Sequence, residues 1–127
     1  MKLYTDAGSR GNPGKAACAF VVVKDNKIIK RESKFIGVAT NNEAEYNAII
    51  LALTMIKAKE IEVVSDSELV IKQITGEYKI KQPHLRELND KVQDLISKRK
   101  IKFSNAPREN KFISLADELV NIELDKN

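Results

Sequence analysis

Four acids stand where a carboxylate is costly. Asp6 ends the stretch "KLYTD" and Asp66 ends "EIEVVSD". Both stretches read as strands, and in open α/β sheets ligands gather outside the carboxyl ends of strands. At about 100° per residue along a helix over 41–57, Glu45 shares a face with Ala48, Ile49, Ala52 and Ile56, whereas Glu43 falls beside Asn47 and Thr54. In a helix over 113–124, Asp117 lies on the stripe of Ile113, Val120 and Leu124, and Glu118 points away. No arginine or lysine at helical spacing shares either face, so any compensating cation must come from elsewhere. Taken singly, each acid is better explained as a carboxylate at the core rim that caps a helix or reaches solvent. Taken together, they form a hard-oxygen donor set without a paired histidine or cysteine, suited to magnesium or manganese rather than zinc and to phosphoryl transfer.

The elements that must position these acids follow from periodicity and punctuation. Residues 2–6 read as a short strand, and 16–24 as a longer one, buried on both faces because "AACAFVVV" is nearly continuous. "KDNK" is a hairpin turn, and residues 27–36 return as a strand near an edge, with polar and apolar positions mixed. "TNNEAEYNAIILALTMIKAK" is a helix with Thr40 and Asn41 as candidate N-caps. A fourth strand leads into a short helix that opens at Ser67 and stops at Gly76; Pro83 then begins a helix with Leu85, Leu88, Val92, Leu95 and Ile96 at helical spacing. "KIKFSNA" is a fifth strand, and a polar loop, "PRENKF", precedes the last helix. Three sequential strands imply an antiparallel meander and the later alternation implies parallel crossovers, giving an α/β fold with a mixed sheet covered by helices.

The 127 residues fit one domain, 1–127, able to build a core without disulfides. Hydrophobic residues at 43% and charged residues at 31% argue against disorder. No apolar run approaches the ~20 residues of a membrane span, and no signal-peptide pattern begins the chain, so a cytoplasmic location away from membranes is expected. Cys18 sits in an apolar run and reads as an inert buried thiol. The net charge of +4 permits phosphate contacts without requiring them; Lys98, Arg99, Lys100 and Lys102 form either a solvated face or a phosphate-tracking patch.

In order along the chain, "YTDAGSRGNPG", "TNNEAEY", "VVSDSELVIKQITG" and "LADEL" resemble the signature segments of the type 1 ribonuclease H family. The resemblance implies the ribonuclease H-like fold, with a five-stranded sheet of three antiparallel then two parallel strands. It implies an endoribonuclease that cuts the RNA strand of RNA/DNA hybrids, leaving 3′-hydroxyl and 5′-phosphate ends. It makes Asp6, Glu45, Asp66 and Asp117 the ligands of two Mg2+ or Mn2+ ions about 4 Å apart. Asn12, Thr40, Asn41, Asn42, Ser67 and Arg108 become substrate contacts, with Thr40 and Ser67 equally readable as helix caps. The partner is an RNA/DNA hybrid, and the protein is expected to be monomeric.

Two departures from the family pattern stand out. The loop before Asp117, "NAPRENKFIS", lacks the histidine that many members carry there, and Arg108 takes the comparable stretch; the one histidine, His84, reads as a solvated residue at a helix start. The segment "TGEYKIKQPHLREL" also lacks a lysine-rich handle, keeping only Lys79 and Lys81. The competing reading is a hybrid- or DNA-binding module of the same fold that cuts weakly or not at all; keeping four mutually repulsive acids argues against it.

Overall fold

A computed structural model describes residues 1–127. The order is β1 (Lys2–Gly11), β2 (Gly14–Lys24), β3 (Lys27–Ala39), α1 (Asn41–Met55), β4 (Glu60–Ser65), α2 (Glu68–Ile74), α3 (Pro83–Ile96), β5 (Lys100–Asn105) and α4 (Lys111–Asp125). The sheet runs β3-β2-β1-β4-β5, with β1, β2 and β3 antiparallel and β4 and β5 parallel to β1. This is the mixed five-stranded arrangement expected above, with β3 at one edge and β5 at the other.

Strand alternation divides the core between the two faces of the sheet. Leu3, Phe20, Val22 and Val63 pack against Tyr46, Ile49 and Leu53 of α1 and Val92 of α3. Tyr4, Val21, Val23 and Val64 pack against Phe112, Ile113 and Ala116 of α4. β2 is buried from Ala16 to Val23 because it is covered on both faces, and Cys18 is buried within it with its thiol pushed up to about 12 by that burial. Asp25 and Asn26, with φ of 54° and 62°, make the two-residue β2–β3 turn, whose positive φ values match the twist of the flanking strands.

Several boundaries differ from the expectation: β2 starts at Gly14 rather than 16, α1 ends at Met55 rather than 57, and three others have a clear local cause. β1 does not end at Asp6 but continues to Gly11, because β2 offers it a partner along its whole length, from Lys2 opposite Val23 to Gly11 opposite Gly14. The glycine-rich stretch is therefore mostly strand, and the turn is confined to Asn12 and Pro13. Gly14 is required there, since a Cβ would run into the Arg10 carbonyl. β3 likewise extends to Ala39 along β2. α4 starts at Lys111 rather than 113, because the Asn110 side chain accepts hydrogen bonds from Phe112 N and Ile113 N at 2.9 and 3.2 Å and caps the helix earlier.

Arg99 departs from the surface patch in which sequence groups it. Its guanidinium turns inward and donates to the carbonyls of Leu53, Ile56, Ala58 and Leu95, which lie at or just beyond the C-terminal ends of α1 and α3, where helical donors run out. Arg99→Ala should destabilise the fold by about 2–3 kcal/mol in urea titrations, and Arg99→Lys should recover less than half, because an ammonium cannot reproduce the planar fork.

Candidate metal and nucleic-acid site

The site forms where β1 outlasts β4. The two strands pair only from Lys2 opposite Glu62 to Thr5 opposite Ser65, so from Asp6 onward one edge of β1 is open. Asp66 lies one residue past the end of β4 and faces this gap. α1 crosses one side of the sheet and brings Glu45; α4 crosses the other and brings Asp117. One oxygen from each of Asp6, Glu45 and Asp66 can be chosen so that all lie within 4.8 Å of one another. Asp117 joins by lining the same cleft, where its charge acts on Asp6. All four line a cleft of about 490 Å³ with Gly8, Arg10, Asn41, Arg108 and Asn121.

α1 is tied to the open edge by side chains. Asn41 Oδ1 accepts the backbone N–H of Ser9 at 3.1 Å, and Asn12 Oδ1 accepts the backbone N–H of Asn41 at 3.0 Å. Each bond satisfies an amide that strand pairing or the helix leaves free. Thr40 caps α1 in a capping box: its hydroxyl accepts from Glu43 N at 3.2 Å, and its own N–H donates to Glu43 Oε1 at 2.8 Å. Ser67 caps α2 through Val70 N at 3.3 Å. These polar residues anchor the elements that carry Glu45 and Asp66.

Asn42 faces a different groove, of about 520 Å³, lined also by Gln73, Tyr78, Lys79, Lys81 and Gln82. Arg108 lines the acid cleft, with Nε 3.8 Å from Asp66 Oδ2 and a side chain 77% exposed. His84 is exposed at the start of α3, outside the cleft. Three polar lining residues carried no candidate role in the sequence: Ser9, Arg10 and Asn121. Alternation from Asp6 through Gly8 would have placed Arg10 on the same face had the strand been extended that far.

The acids are electrostatically unsatisfied. Burial, then the charges of Asp66 and Asp117, push Asp6 from its usual 3.8 up to about 8, opposed by one backbone hydrogen bond at Ala7. Burial and the charges of Asp6 and Asp66 hold Glu45 well above the ordinary range, with Arg108 pulling the other way. Glu45 Oε1 and Asp66 Oδ1 are buried without any hydrogen-bond partner. Orphaned carboxylate oxygens in an all-oxygen cluster, with only the exposed Arg108 guanidinium against them, fit hard divalent cations.

Between pH 4 and 8 the folded metal-free protein therefore holds a proton on Asp6 that the unfolded chain has released, so stability falls as pH rises through that window. In EDTA at pH 8, Asp6→Asn should be more stable than the parent by roughly 1–3 kcal/mol, and the advantage should shrink toward pH 4. Thermal melts across this range measure both.

The RNase H family profile matches residues 1–120. A ribonuclease HI of Halobacterium salinarum is 42% identical over 98 residues, covering 74% of this chain and 49% of its own length. A bifunctional protein of Mycobacterium tuberculosis is 41% identical over 129 residues, covering 97% of this chain and 35% of its own length. The chain thus spans between a third and a half of these curated relatives. Among solved structures, the ribonuclease H1 of Halobacterium salinarum superposes with a TM-score of 0.91 at 37% identity, covering 99% of this chain and 98% of that one. LC11-RNase H1, crystallised with an RNA/DNA hybrid, superposes with a TM-score of 0.91 at 38% identity, covering 98% and 96%. With its segments in family order along a sheet of family topology, this chain belongs to the ribonuclease H family.

Proposed function

We propose that the protein hydrolyses the RNA strand of RNA/DNA hybrids, with Asp6, Glu45, Asp66 and Asp117 holding Mg2+ or Mn2+ at the cleft. The observation that carries this reading is the gathering of buried, unpartnered carboxylate oxygens at the open edge of β1. The hybrid-bound relative of the same fold supports the substrate class.

Bound divalent cations would neutralise the carboxylates, polarise the scissile phosphate and lower the pKa of the attacking water. The chain supplies the rest. Water oxygen adds to phosphorus as the bond to the 3′ oxygen breaks, so one product keeps a 3′-hydroxyl and the other a 5′-phosphate. Asp6 and Asp66 present oxygens from the sheet, while Glu45 and Asp117 reach in from opposite faces. Asn41 and Asn12 keep α1 locked to β1, so the separation of Glu45 and Asp6 does not drift as substrate enters. Arg108, exposed and only loosely paired with Asp66, is free to turn its guanidinium to a phosphate. Asn42, Lys79 and Lys81 line the neighbouring groove and suit the backbone of the second strand. A hybrid displays 2′-hydroxyls on one strand only, across a wide minor groove, which is how the cleft would distinguish RNA from DNA.

Labelled RNA/DNA hybrid, duplex RNA, duplex DNA and single strands incubated with each metal test the proposal. Hybrid should be cut and the others spared, with EDTA abolishing cleavage. Asp66→Asn should lower kcat by about a thousandfold or more, equivalent to about 4 kcal/mol of barrier. Hybrid binding without metal-dependent cleavage would instead favour a binding module. Because no histidine lines the cleft, His84→Ala should leave the pH–rate profile unchanged; loss of a limb in this variant would contradict this placement.

A further inference from the structure

Arg10 lies on the same face of β1 as Asp6 and Gly8, since side chains alternate along a strand. A Cβ at Gly8 would meet Val120 Cγ1 at 3.5 Å, which identifies that face as the one beneath α4. Four residues at about 3.3 Å each put Arg10 roughly 13 Å from Asp6 along the strand. Its side chain lines the same cleft as the acids.

Lys15 stands directly opposite Arg10 across the β1/β2 ladder. Two cations opposed on one face repel each other, so the position favours an anion. The end of α4 provides one: Arg10 Nη2 is 2.6 Å from Asp125 Oδ1, and Lys15 Nζ donates to the Asn127 carbonyl at 3.2 Å. The side chains of Arg10 and Asp125 are 49% and 68% exposed. An ion pair so open to water does little to hold the fold and is readily exchanged for another anion.

We propose that Arg10 is a phosphate-binding residue, gripping a backbone phosphate of the nucleic-acid strand in the cleft a few nucleotides from the scissile bond, and that Asp125 occupies its guanidinium until substrate displaces it. The inference rests on the hybrid-hydrolase reading above. A guanidinium binds phosphate through two parallel N–H bonds and fixes orientation as well as charge. Held at a set distance from the acids along a rigid strand, that contact would place the strand in register with the site. Asp125 competes for the same donors, so it lowers affinity while keeping Arg10 extended.

The test compares the parent, Arg10→Ala and Asp125→Asn in hybrid cleavage over a series of salt concentrations, with thermal melts as a control for folding. Arg10→Ala should raise KM about five- to tenfold and reduce the magnitude of the slope of log(kcat/KM) against log[salt] by about 1. Asp125→Asn should lower KM. An ion pair that matters only structurally would shift both variants in the same direction; that result, or an unchanged KM and slope for Arg10→Ala, overturns the proposal. The same comparison is made on hybrid binding by fluorescence anisotropy. Opposite shifts in binding with no cleavage by the parent would uphold the Arg10 contact and count against the hydrolase reading alone.

Discussion

Carboxylate self-repulsion in a gap of the sheet is the constraint around which this molecule is organised. β4 stops at Ser65 while β1 runs on to Gly11 beside β2, and the space left by the missing neighbour is where Asp6, Glu45 and Asp66 meet. Nothing in the chain neutralises them. The nearest cation, Arg108, sits 3.8 Å from Asp66 on a mostly exposed side chain, where solvent screening leaves it little strength. The folded metal-free protein therefore keeps protons on groups that would otherwise be ionised, and part of its stability is surrendered to hold the acids together.

Tolerating this cost requires firm surroundings. Both faces of the sheet are packed beneath the acids, by Leu3, Phe20 and Tyr46 on one side and by Tyr4, Val21 and Phe112 on the other. Polar residues around the gap work as fasteners. Asn41 and Asn12 join α1 to β1, Thr40 and Ser67 cap the two helices that follow, and Asn110 fixes the start of α4. Each of the first four sits in a segment that also resembles a substrate-contacting motif. Capping consumes an oxygen lone pair, so a hydroxyl hydrogen at Thr40 or Ser67 is still available to donate; the two roles are chemically compatible.

Much of this was legible in the amino-acid order. Rotation by 100° per residue put Glu45 and Asp117 on inward faces, and both line the cleft. The unbroken apolar run of β2 announced a strand covered on both sides, and the β2–β3 turn followed from "DN" flanked by lysines. The extent of β1 was hidden, because "GSRGNPG" has the composition of a loop and its pairing with β2 is a tertiary fact. That stretch concealed Arg10, whose place on the same face as Asp6 depends on the strand continuing. Arg99 was hidden for another reason: its partners are backbone carbonyls, which leave no trace in residue identity.

The claim beneath all of this is that the gap at the open edge of β1 is a divalent-cation site rather than a cluster relieved by protons or by Arg108. Anomalous scattering from a crystal soaked in manganese addresses it directly. The account predicts peaks within coordination distance of the Asp6, Glu45 and Asp66 oxygens, with Arg108 displaced from Asp66. A manganese-free gap at saturating metal, with the Arg108 guanidinium seated among the carboxylates, would contradict it.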